Sequence, residues 1–188
     1  MARTRLLSAW LLLATALLLG TRTAVFAMTP AQGLLMLYVG IISGLLLAVA
    51  RFLLWRLADG QGGAAMLLWS AILGLVSVMF LFSWFGPRLL PEASTSFVEI
   101  DLALGLIALA LQSVGMFRVR LVPFWVGAIG LASSALGLFA RLAWTRLGIA
   151  PSLASVGLEA AFLVGAGVSL LLNRQSATAE DIQTASAL

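Results

Sequence analysis

Along most of the 188-residue chain, polar positions interrupt long apolar stretches instead of alternating with them. Six apolar runs stand out, roughly Leu6–Phe26, Gly33–Trp55, Ala64–Phe85, Phe97–Phe117, Leu121–Ala140 and Ser152–Leu172. A helix needs about 20 residues to cross the hydrocarbon core of a bilayer, and each run reaches that length. Barrel strands would alternate over about ten residues, so helix is the reading for all of them. Short connectors with Gly, Pro or Ser separate the runs: "MTPAQ", "ADGQGG", "GPRLLPEASTS", "RVRLVP" and "TRLGIAPS". The pattern predicts an all-α integral membrane bundle of about six transmembrane helices. It divides into residues 1–27 (first helix or signal peptide), 28–172 (bundle) and 173–188, a polar cytoplasmic tail. The tail lacks periodicity and is expected to fray.

Two readings of the first run stand. Arg3 and Arg5, then Leu6–Leu19, then "AVFA" ending at Ala27 have the three-part form of a secretory signal. Arg22 breaks up the region before the cleavage site and favours an uncleaved first helix; removal after Ala27 would leave five. Orientation follows from the arginines. With the N-terminus inside, Arg3, Arg5, Arg51, Arg56, Arg118, Arg120 and Arg174 are cytoplasmic, and Arg22, Arg88, Arg141 and Arg146 are external. Seven against four predicts cytoplasmic ends for both termini.

Composition narrows the function. Hydrophobic residues make up 62% of the chain and charged residues 10%, against about a quarter charged in a soluble domain. The cations are all Arg, scattered at the ends of apolar runs, so no nucleic acid is expected as a partner. With no Cys, no His and no Lys there is no thiolate or histidine ligand, no Ser-His triad and no Schiff base. No cofactor and no metal are expected. Ser133 and Ser134 have no base at hand, and the GxGD motif of intramembrane aspartyl proteases is missing. The chemistry is therefore expected to be non-enzymatic. Arg without Lys, in a chain rich in Ala, Gly and Leu, reflects GC-rich codons and points to a bacterial inner membrane.

"ARFLLWRL" (Ala50 to Leu57) has an echo in "ARLAWTRL" (Ala140 to Leu147), and at the same offset Gly40 meets Gly130 and Ser43 meets Ser133. The offset overlays the first three helices on the last three, which would make a 3+3 inverted repeat of the kind that transporters use. Chance matches in a Leu-, Ala- and Gly-rich chain are the competing account. Small-residue stripes mark close helix packing: Gly40 and Gly44 in the second helix, Gly127 and Gly130 in the fifth, and Gly157, Ala161 and Gly165 in the sixth. In the fifth helix Ser134, Gly137 and Arg141 continue the stripe. In the fourth, Asp101, Gly105, Ala108, Gln112 and Gly115 share one face. The tryptophans fall mostly near helix ends, as an interfacial belt does.

One carboxylate lies inside an apolar run, Glu159 in "VGLEAAFLVGAG". A charge there needs a partner. If the last two helices turn near Ala150 and Pro151, Arg141 and Glu159 lie nine residues to either side, at one depth. Arg141 is thus the expected partner, with Arg22 and Arg88 in reserve. Such a pair can lock two helices together or form a polar centre for a solute or proton. Glu159, Arg141, Asp101 and Gln112 are the candidate substrate- or proton-binding residues.

The stretch "RVRLVPFWVGAIGLASSALGLF" (Arg118 to Phe139) resembles a segment of small uncharacterised bacterial multi-pass membrane proteins. There a basic turn and Pro-x-Trp lead into a Gly-rich helix and one last helix. Phe124 stands where those relatives often carry a basic residue. The resemblance covers the C-terminal third and implies a bacterial inner membrane and roughly six helices. The leading expectation is a non-enzymatic membrane protein, alone or as an accessory subunit among other membrane proteins. The rival is a small-solute or proton-linked transporter.

Overall fold

The computed structural model describes the backbone of residues 2–28, 33–83, 91–142 and 150–186, and the side chains of 2–21, 38–80, 100, 102–141 and 150–172. Asp101 and the reserve partners Arg22 and Arg88 lie outside the described side chains. Six helices are present among the described residues: α1 (Ala2–Met28), α2 (Gly33–Leu57), α3 (Ala64–Ser83), α4 (Pro91–Arg118), α5 (Phe124–Leu142) and α6 (Ala150–Ser186). Four carry spans long and apolar enough to cross a membrane: Ala2–Thr21, Tyr38–Leu57, Phe124–Arg141 and Ala150–Leu172. The described apolar parts of α3 and α4 are shorter, Ala64–Phe80 and Leu102–Arg118.

Helix α4 starts at Pro91, earlier than the apolar run implies, because Pro suits a first helical turn, where its missing N–H is no loss. At the other end of the chain, α6 does not stop with its apolar run. Its backbone stays helical to Ser186, so residues 173–186 are not the frayed tail expected. Beyond Gly167 there is no Gly or Pro to stop the helix, and Ala, Gln and Glu favour its continuation.

The connector from α4 to α5 closes with a Schellman motif. The Leu121 N–H donates to the Met116 carbonyl (2.9 Å) and the Arg120 N–H to the Phe117 carbonyl (3.0 Å). Arg120 takes the left-handed conformation at φ 54°, a place where glycine normally sits. Arg120→Gly should therefore leave the bundle as stable or raise it by about 1 kcal/mol, read as an unchanged or higher melting temperature in detergent.

Each helix packs on its neighbours in the chain, and α6 closes back onto α1. The result is a ring of six helices in sequential order. Pairs of contacts fix the directions: Gly44–Val78 with Arg51–Gly74, Leu67–Gly115 with Ser77–Gly105, Leu106–Gly137 with Phe117–Gly127, and Gly130–Phe162 with Gly137–Ser155, so the helices from α2 to α6 run antiparallel in succession. Gly167 meets Leu13 and Ala9, which ties α6 to α1. This order overturns the inverted repeat. Three helices per half leave α1 and α4 pointing oppositely, so superposing the halves requires turning one over. Turning it over reverses the sense in which its three helices proceed around the ring. The halves have opposite hands, and no rotation places α2 on α5 and α3 on α6 together.

The two ends of the ring differ. Toward the start of α1 it is filled by an apolar cluster that includes Leu12, Leu54, Leu67, Met116, Val126 and Leu170. Toward the end of α1 the interior holds a cavity with charged and hydroxyl-bearing residues in a largely apolar wall. Between the helix ends the described outer surface is apolar, with Leu17, Val49, Leu75, Met79, Ile107, Phe139 and Val164 exposed. On a soluble protein such a belt would be a liability; here it is the surface that lipid covers. Trp10, Trp69 and Trp125 are exposed at the start of α1, α3 and α5, all at the apolar-filled end. At the same level Arg56 sits 5.7 Å from the Trp55 ring and 5.8 Å from that of Phe52. That is one interfacial belt.

Most of the stripe glycines sit at helix crossings. A Cβ on Gly44 would lie 2.7 Å from Val78 Cγ2, on Gly127 3.3 Å from Phe117 Cβ, and on Gly165 3.2 Å from Val126 Cγ2. On Gly130 it would collide with Ser113 Oγ and approach Phe162 Cδ2 to 2.8 Å. Gly157 and Ala161 depart from the expectation. Both are exposed, and Gly157 has open space where a Cβ would point. The helix turns Ser155, Phe162 and Ala166 inward instead, and a face cannot serve both directions.

Candidate functional site: a polar cavity at Arg51

Arg51 lies six residues before the end of α2, about 9 Å inside the helix at 1.5 Å per residue. Its side chain turns into the ring and is 3% exposed. Gly74 of α3 makes this feasible: a Cβ there would overlap Arg51 Nη1, so the guanidinium rests on bare backbone. Arg51 Nε donates to Gln112 Oε1 across the ring at 2.9 Å. Gln112 is fully buried on the inward face of α4, and its Nε2 approaches Met116 Sδ at 3.9 Å. The carboxylate of Glu159, from α6, acts electrostatically on the Arg51 guanidinium. Three helices thus meet at one charged centre.

The centre faces a cavity of about 150 Å³. Arg51, Glu159, Ser43, Ser77 and Thr15 line it, together with Gly40, Gly44, Gly74 and Gly105. Leu47 and Leu109 belong both to its wall and to the apolar cluster, and form the floor. Two hydroxyls are already committed as donors: Ser43 Oγ to the Gly40 carbonyl (2.9 Å) and Thr15 Oγ1 to the Leu11 carbonyl (2.8 Å). Each therefore offers the cavity lone pairs only.

Arg141 is not part of this centre. Between α5 and α6, Ser133 and Ser155 exchange hydrogen bonds, each Oγ donating to the other's carbonyl at 2.9 Å. Gly137 also abuts Ser155, so Arg141, one turn further, is level with the first turn of α6. Glu159 lies one turn beyond Ser155 in the opposite direction, about 12 Å away along the axis. The equal-depth argument fails because α5 ends at Leu142 while α6 begins at Ala150. Arg141 is exposed. Arg141→Gln should change stability by no more than about 0.5 kcal/mol in a detergent melt.

Of the four candidates, Glu159 and Gln112 are brought together through Arg51, and Arg141 is left outside. Arg51 is the member that sequence reasoning missed, because an Arg near the end of an apolar run resembles a flanking cation. The usable signal was position: Phe52, Leu53, Leu54 and Trp55 still follow it before Arg56 marks the end. The remaining buried hydroxyls are structural. Ser70 Oγ donates to the Ala108 carbonyl (2.6 Å), joining α3 to α4, and Ser134 Oγ to its own helix at Gly130 (3.0 Å).

Fold and site define the class: a helical membrane protein with a charged centre on a cavity between its helices. No family model, curated protein or solved structure was found to match the chain.

Proposed function

We propose that the chain is a non-enzymatic multi-pass protein of a bacterial inner membrane that handles a small polar solute at Arg51, Gln112 and Glu159, as a small-solute or proton-linked transporter. One observation carries this reading: the charged centre lines a cavity instead of being packed dry. A pair that only locked helices together would need no room beside it, and ionisable groups inside membranes are costly enough to mark function. The apolar cluster beneath the cavity closes one end of the path in this state. With Arg51 counted as interior, six arginines against four still favour cytoplasmic ends, so the cavity would face outward.

The chain has no Cys, so Ser43→Cys carries a single thiol. A membrane-impermeant maleimide is expected to label it from outside intact cells. Asp59→Cys, in the turn between α2 and α3, should label only after the membrane is opened. A Ser43→Cys thiol that reacts from neither side would sink the solute-handling reading, and labelling of Asp59→Cys in intact cells would reverse the orientation. The second reading, an accessory subunit, rests on Gly157 and Ala161, small residues turned outward on α6. Purification in mild detergent with a stoichiometric membrane partner would favour it.

A further inference from the structure

Resting on that reading, the cavity's chemistry narrows what the solute is. The described centre carries one positive and one negative side chain, so it is neutral when empty. In a low-dielectric surround, a ligand that adds net charge must bring or release a proton. A ligand with no net charge needs neither. The hydrogen-bond inventory is polarised as well. Among the lining groups Arg51 offers only donors, whereas Glu159, Ser43 and Thr15 offer acceptors, since both hydroxyl protons are already used. A carboxylate suits the Arg51 donors and an ammonium suits the acceptors. Volume sets the size: a cavity of 150 Å³ takes a molecule of about six non-hydrogen atoms, as one of that size takes benzene.

We infer that the cavity binds a small zwitterionic amino acid, of glycine or alanine size, with its carboxylate on Arg51 and its ammonium on Glu159, Ser43 and Thr15. Binding exchanges one neutral arrangement for another. The Arg51–Glu159 attraction gives way to two ligand contacts of the same kind, and no proton has to move. The Gln112 bond to Nε holds the guanidinium in place while its outer edge is used.

The test uses the full chain in lipid nanodiscs and equilibrium binding of radiolabelled alanine at neutral pH. Unlabelled glycine should compete, and leucine should not, being too large. Propionate lacks the ammonium and ethylamine lacks the carboxylate; both should bind at least tenfold more weakly. Glu159→Gln should lower alanine affinity at least tenfold. Should that variant fail to fold, Ser43→Val keeps both charges, removes one acceptor and fills space, and should also lower affinity at least tenfold. Propionate binding as tightly as alanine, more so at low pH, would overturn the zwitterion assignment in favour of a proton-coupled anion, with the solute-handling reading intact. No binding of alanine or glycine to a protein whose Ser43→Cys thiol labels from outside would also overturn it. An unreactive thiol would remove the underlying reading itself.

Discussion

Arg51→Gln is expected to destabilise the protein by about 3–5 kcal/mol, the scale seen when one member of a buried ion pair is removed. The substitution leaves Glu159 in the ring interior without its compensating charge, and breaks the bond to Gln112 Oε1. Adding Glu159→Gln should return part of that loss, because two neutral amides leave no stranded charge. The double-mutant cycle, followed by thermal melts in detergent, should give a coupling of about 1–3 kcal/mol. Additive losses would mean that the two side chains do not act on each other. Arg141→Gln combined with Glu159→Gln should show no coupling, which separates this centre from the pairing inferred by counting from the turn.

Gly130→Val should be the most damaging change outside the centre. The glycine lies where α4, α5 and α6 converge, with Ser113 Oγ and the Phe162 ring against its Cα. Phe162 is fully buried, so it has nowhere to retreat. Overpacking of this kind costs about 1–3 kcal/mol, and the second branch of Val places it at the upper end. Gly157→Val, by contrast, points into open space and should be nearly silent. Equal melting temperatures for the two variants would contradict the placement of these helices.

The contrast between these two glycines shows what a stripe of small residues conveys. Gly130 and Gly157 look alike in the sequence, each in a run of Leu, Ala and Gly. Which one meets a neighbour depends on how its helix is rotated, and rotation is set by all the contacts of that helix together. The same holds for the apparent duplication. Matching Ala-Arg segments at the ends of α2 and α5 say nothing of ring order, and it is ring order that gives the two halves opposite hands.

The sequence by itself determined that the chain is helical, lies in a membrane and carries no Cys, His or Lys. Those are properties of local runs and of composition: length and hydropathy select the spanning helix, and an absent residue type is absent in any fold. It also singled out Glu159 as a charge needing a partner, because cost of burial is legible from neighbours in the chain. Only the tertiary structure decided that the partner is Arg51. The choice turned on the axial register of α5 against α6, fixed by the Ser133–Ser155 exchange, and on the bare backbone at Gly74 that admits a guanidinium between helices. Register and rotation are decided by contacts between residues far apart in the chain, and a linear count from a turn does not contain them.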